Sequence, residues 1–262
     1  IWVTAPYFNL PQGLLNVLGK ITAGEVEPPS DLAGLTRLVE ADLAATIRAA
    51  AANLDRCWWE RGRTGCFPLA SCVISDCLAR GVDFDRGGAR YNWVENSFVG
   101  LANLADGLLA IQRLVFEREE LTLAQLHDIL QRNYEGHEDL RQKILNTLPH
   151  YGNDDDEVDA LARQWAEFLI ATTEAQTVGL HRYVPGFFCW IIHEDMGRRT
   201  GATPDGRLAG WPLADGAGGA QGRERRGPTA AVLSSTKWSH RPVLGGLVHN
   251  IKFTRNMLAS PE

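Results

Sequence analysis

The run "TGATPDGRLAGWPLADGAGGAQGRERRGPTA", residues 200–230, carries eight glycines. Glycine lacks a Cβ, so a run this rich must turn tightly or let other groups approach its backbone closely. A regular helix or a central strand cannot hold that many, and the segment reads as a long packed loop. Two phosphate-binding readings fail on their own requirements. A P-loop needs GxxxxGK[ST], and the run holds no lysine. The dinucleotide fingerprint GxGxxG would start at Gly216 and Gly218 but meets Gln221 where its third glycine belongs. Arg198, Arg199, Arg207, Arg223, Arg225 and Arg226 offer an anion site. Their alternation with Asp205, Asp215 and Glu224 fits a self-paired network as well or better.

Upstream the texture is helical. "SDLAGLTRLVEADLAATIRAAAANL" places Leu32, Leu35, Val39, Leu43 and Ile47 at helical spacing behind a cap at Ser30 or Asp31. "PLASCVISDCLARG" predicts a shorter helix closed by Gly81, with Cys72 and Cys77 packed as small apolar groups. "VDFDRGGARYNW" is a turn-rich crossing, and Val99 to Phe116 repeats the helical period. Thr122 facing Gln125 is a capping box that opens the next helix. "YGNDDDEVDALARQWAEFLIATTEA" follows with an acidic first turn, favourable at the positive helix end. After residue 180, "YVPGFFCWIIHE", "TAAVLSST" and "VLGGLVHNIKF" are short apolar or β-branched runs that read as buried strands or extended chain. Trp58, Trp59, Trp190, Trp211 and Trp238 read as core aromatics. The expectation is one α/β segment over 1–262, mainly helical over 1–180, with strands and a Gly-rich loop over 181–262.

Charge and cysteine content narrow the function. A net charge of −6 and a pI near 5.7 argue against nucleic-acid or anionic-membrane surfaces. The apolar runs are too short to span a bilayer, and no secretory signal opens the chain. Five cysteines without CxxC spacing suggest reduced thiols in a cytoplasmic protein. "HED" at 193–195 looks metal-like, but on an extended segment neighbouring side chains point to opposite faces. His240 and His249 have no ligand-spaced partner, so no metal is expected. Ser234 and Ser235 lie in no GxSxG elbow. The chain opens "IWVTAPYFN", without Met and already apolar, as though entering in mid-structure. Taken alone, the residues assemble no complete catalytic set.

Several segments together resemble the glycyl radical enzymes, the family of pyruvate formate-lyase and of the glycerol, diol and choline lyases. "TGATPDGRLAGWPLADGAGGAQGRERRGPTAAVLSSTKW" is similar to that family's TGATPDGR…PLADG…QGRD…GPTA region. "GGARYN" (87–92), "GLANLADGLLAIQRLVFE" (100–117) and "YGNDDDEVD" (151–159) resemble other family stretches in the family's order. "APYFNLPQGLLNVL" resembles the segment that follows the active-site cysteine.

The resemblance implies part of an α/β barrel of strands wrapped by helices. It implies radical cleavage of a C–O, C–N or C–C bond in a small organic substrate by a dehydratase or lyase, or formate acetyltransferase chemistry. In the family a glycyl radical, installed by an S-adenosylmethionine-dependent iron–sulfur activase, takes hydrogen from a cysteine. That cysteine then acts on the substrate in a dry interior. The complete enzyme is expected to be a homodimer, and the glycines to build close-packed loops around the radical chamber. These 262 residues hold neither the GCxE-like cysteine motif nor the RVxGY-like glycyl motif. The resemblance therefore implies a central-to-late segment, inactive alone, that binds no cofactor and completes its site with other parts of its chain. "GCFP" at 65–68 lacks the glutamate, and Cys66 is read as structural, on the outer helical layer. Trp2, Thr4, Tyr7 and Phe8 match the pocket-lining segment, with ordinary barrel packing as the alternative. Thr4 stands about where the glycerol-dehydratase branch has an aspartate, which removes a possible base and favours a larger or less polar substrate than glycerol. A non-catalytic scaffold or binding protein built from the same barrel is the other functional reading.

Overall fold

The computed structural model describes residues 5–251 and residue 253. Its framework is a parallel sheet of β1 (Tyr7–Asn9), β2 (Trp93–Val99) and β3 (Arg182–Gly186), in that order. Parallel neighbours need long crossovers, and helices supply them. Between β1 and β2 run α1 (Leu10–Thr22), α2 (Leu32–Thr64), α3 (Pro68–Cys72) and α4 (Cys77–Arg80). Between β2 and β3 run α5 (Leu101–Ile111), which continues as a π-turn through Glu117, then α6 (Leu123–Gln131), α7 (Glu138–Thr147) and α8 (Asp156–Glu174). Two helices follow β3, α9 (Ile192–Arg199) and α10 (Pro228–Thr236).

The two faces of the sheet meet different surroundings. Side chains alternate along a strand, so Val94, Asn96 and Phe98 point one way. That face packs on helices: Asn96 Nδ2 donates to Thr173 Oγ1 of α8, and Tyr183 of β3 donates its hydroxyl to Ala51 O of α2 at 3.0 Å. Phe8 stacks on Phe98 there, with ring centroids 5.5 Å apart. Leu14 and Leu18 of α1, Leu104 and Leu108 of α5 and Trp165 of α8 extend the same core. Glu95, Ser97 and Val99 take the opposite face, away from the main helical core. Loops from the last third cover it: Ser97 donates to Phe188 O at 2.5 Å, and Val99 packs with Cys189 and Leu213.

Local chemistry sets the helix starts. Asp31 caps α2 by accepting from Gly34 N at 2.7 Å, and Asp155 caps α8. The capping box at α6 is reciprocal: Gln125 N donates to Thr122 Oγ1 and Thr122 N donates to Gln125 Oε1. Thr122→Ala is expected to cost about 1 kcal/mol, read as a lower thermal midpoint with unchanged helix content.

The structure corrects several expectations. "TAAVLSST" is not a strand: Pro228 sits in the first helical turn, where its missing N–H costs nothing, and the run forms α10. "VLGGLVHNIKF" forms no strand among the described residues, only a single bridge from Leu247 to Phe187. "PLASCVISDCLARG" splits into α3 and α4, because Asp76 adopts a left-handed backbone between them; Gly81 closes α4 as expected. Cys77 is buried there, but Cys72 is exposed. Trp58 and Trp238 are core residues, whereas Trp59, Trp190 and Trp211 are exposed. No described helix is long and apolar enough to cross a membrane.

Candidate functional site

The sheet face opposite the helical core is where glycine is required. Gly216 has φ +60°, and a Cβ there would lie 2.1 Å from Val248 O and 2.8 Å from Phe187 O. This close approach is fastened by backbone bonds, with Ala217 N donating to Val248 O and Val248 N donating to Phe187 O. Gly186 and Gly245 press against Glu95 in the same way, since a Cβ would come within 2.0 Å and 2.6 Å of that side chain. Gly216 of the opening stretch, with Gly186 and Gly245 outside it, therefore allows the chain to close over a buried strand.

Side chains from the helical layer anchor this cover. Asn103 of α5 donates to Asp205 Oδ2 at 2.8 Å and accepts from Ala214 N at 2.7 Å. Asp205, wholly buried, also accepts from Thr203 Oγ1, while its own carbonyl accepts from Arg223. Arg207 donates to the carbonyls of Gly201, Leu208 and Trp211. Burial depresses both Arg207 and Arg223, and the Asp205 charge offsets it. The expected arginine–carboxylate network is thus mainly an arginine–carbonyl one. Arg198 and Arg199 pair instead with Asp195 on their own helix.

At the rim of the cover four polar groups converge. Cys189, fully buried, donates its thiol to Asp215 Oδ1 at 2.7 Å, and its sulfur lies 3.9 Å from His193 Nδ1. Asn250 Nδ2 donates to Asp215 Oδ2 at 2.6 Å. Burial, and then the Asp215 carboxylate, push the Cys189 thiol far up from its ordinary range. His193, Asp215 and Asn250 line an open groove of ≈ 670 Å³, together with Gly218, Gly222 and Glu224.

Tyr7 shares this face. It packs with Val99, Cys189, Leu213, Ile192 and Met196, and burial followed by the charges of Glu95 and Cys189 raises its phenol. Phe8 points the other way, 4% exposed in the helical core. The structure thus separates these two pocket-lining candidates, and Trp2 and Thr4 lie outside the described residues. Cys66 is exposed at the end of α2, with its sulfur 3.8 Å from Asp83 Oδ2.

Sequence reasoning missed the Cys189 group because "HED" is not extended. Ile192 N bonds Cys189 O at 2.8 Å, so the chain is already turning there and His193 stands one turn beyond the cysteine. The C-x₃-H spacing was the available signal.

A three-stranded parallel sheet with its long helices on one face, and glycine loops with the short α9 on the other, is a sector of an α/β barrel. The pyruvate formate lyase-like family model matches residues 42–193. The chain belongs to that family of glycyl radical enzymes. It is 38% identical over 193 residues to the probable dehydratase YbiW of Escherichia coli, a match covering 70% of this chain and 24% of that protein. It is 33% identical to the trans-4-hydroxy-L-proline dehydratase of Clostridioides difficile, over 73% of this chain and 24% of that one. A structure reported for 1,2-propanediol dehydration in Roseburia inulinivorans superposes with a TM-score of 0.90 at 31% identity, covering 97% of this chain and 34% of its own. The chain spans about a quarter of the length of the curated relatives it matches.

Proposed function

We propose that the protein carrying this chain is a glycyl radical dehydratase or lyase that cleaves a C–O, C–N or C–C bond in a small organic substrate. The observation that carries the reading is the sheet face opposite the helical core, which presents Tyr7 rather than Phe8 beneath a cover of glycine-rich loops and α9. Relatives named as dehydratases and a sulfite-lyase give the reaction class. A glycyl radical, installed by an S-adenosylmethionine activase, would supply the hydrogen-abstracting chemistry. These residues hold neither radical motif, so their part is to shape and dry the chamber.

Tyr7 forms the substrate side of the wall; Trp2 and Thr4, outside the described residues, are assigned to the same pocket by the family resemblance alone. Phe8 supports it from behind through Phe98. The test uses the product of the complete reading frame, activated without oxygen. Tyr7→Ala is expected to lower kcat/KM by at least about tenfold, a loss of one good transition-state contact, with the radical signal undiminished. Unchanged turnover at full radical yield would remove Tyr7 from the pocket.

A further inference from the structure

We infer that Cys189, His193 and Asp215 form a divalent-cation site selective for a thiolate-binding metal such as Zn²⁺. One ligand atom from each residue lies within 4.8 Å of the others. The donor set is one sulfur, one imidazole nitrogen and one carboxylate oxygen, a combination that suits zinc far better than magnesium or calcium. Zinc–ligand bonds of about 2.0–2.3 Å in a tetrahedron set ligand atoms about 3.5 Å apart. The sulfur-to-carboxylate and sulfur-to-imidazole spans of 2.7 and 3.9 Å bracket that value. The imidazole-to-carboxylate span is within 4.8 Å, and side-chain rotation of His193 or Asp215 closes the three donors on the metal.

The scaffold holds the donors before any metal arrives. Cys189 and His193 are brought together by the turn that enters α9. Leu213 N donates to His193 O at 3.1 Å, tying the Asp215 segment to that helix, and Gly216 locks the next residue under Val248. Asn250 donates to the second Asp215 oxygen and so orients the carboxylate, as outer partners commonly do around metals. His193 Nδ1 also lies 3.1 Å from Trp190 O, a contact it can make only as a donor; ligation through Nδ1 breaks that bond and leaves the ring proton on Nε2. The fourth coordination position faces the groove that His193 and Asp215 line, which leaves room for water or a small ligand.

Binding is balanced simply. The Cys189 thiol loses its proton to solvent and its sulfur bonds the metal, with no change of oxidation state. A buried thiol beside a carboxylate resists ionisation by itself; the cation compensates both charges.

The test titrates the purified, reduced protein with Co²⁺ as a spectroscopic probe. One equivalent is expected to give a near-ultraviolet thiolate-to-cobalt band and visible bands of tetrahedral intensity, released by added Zn²⁺, with about one proton liberated per metal. Cys189→Ser should abolish the thiolate band, and His193→Ala or Asp215→Asn should weaken cobalt binding by at least about tenfold. Cys66→Ser and Cys72→Ser, both at exposed thiols, should leave the band intact. His193 and Asp215 are only partly buried, so their variants report even if Cys189→Ser fails to fold. A band that survives Cys189→Ser, cobalt affinity unchanged by the His193 and Asp215 variants, or no band in the parent protein would overturn the assignment.

Discussion

Gly216→Val is expected to destabilise the protein by about 2–5 kcal/mol, from left-handed backbone strain and overpacking together. Both causes are specific to this position: φ is +60°, and the new Cβ would lie 2.1 Å from Val248 O. Backbone oxygen cannot rotate aside as a side chain can. The loop must lift off the 187 and 248 segments, breaking the bonds that Ala217 N and Val248 N make there. Gly222→Ala provides the contrast, since Gly222 also has positive φ (+74°) but nothing within 4 Å. It should cost only the strain, about 1–2 kcal/mol. Thermal unfolding of the two variants separates close approach from strain. Equal losses would mean that the close approach does not matter.

Asp205→Ala is the second large effect, at about 3–5 kcal/mol. The carboxylate is fully buried and joins α5 to the glycine-rich loop through Asn103 and Thr203. Its loss leaves the Asn103 amide without its acceptor and two buried guanidinium groups without the charge that offsets their burial. Asp195→Ala removes a carboxylate that pairs with two arginines at the surface, and should cost less than about 1 kcal/mol because exposed pairs contribute little. Urea unfolding midpoints at constant slope check both. A small loss at Asp205 would show that the loop is held by its backbone bonds alone.

Helix starts with local capping chemistry were readable in the sequence. Asp31, Thr122 with Gln125, and the acidic turn before α8 each satisfy amides within four residues. What could not be read locally depends on the barrel. "WVENSFV" carries Glu95, Asn96 and Ser97 in the centre of a strand, so no alternation announces β2; Asn96 finds its partner on α8 and Ser97 at Phe188, both far away in sequence. Of the short runs after residue 180, the YVPG segment does form the buried strand β3; the others misled for the opposite reason, since their apolar content serves the cover loops and two short helices. For the site, the resemblance pointed to Tyr7 and Phe8 together, and only the pleat of β1 shows that they face opposite layers. Cys189 gained its partners through a turn that the neighbouring Trp and Ile residues disguised as extended chain.

Electron paramagnetic resonance after anaerobic activation tests the radical assignment most directly. The product of the complete reading frame, incubated with an S-adenosylmethionine activase, should give a glycyl doublet, and the 262 residues alone should give none. A doublet from the 262 residues alone would contradict the account. So would silence from the complete product after anaerobic incubation with the activase and S-adenosylmethionine.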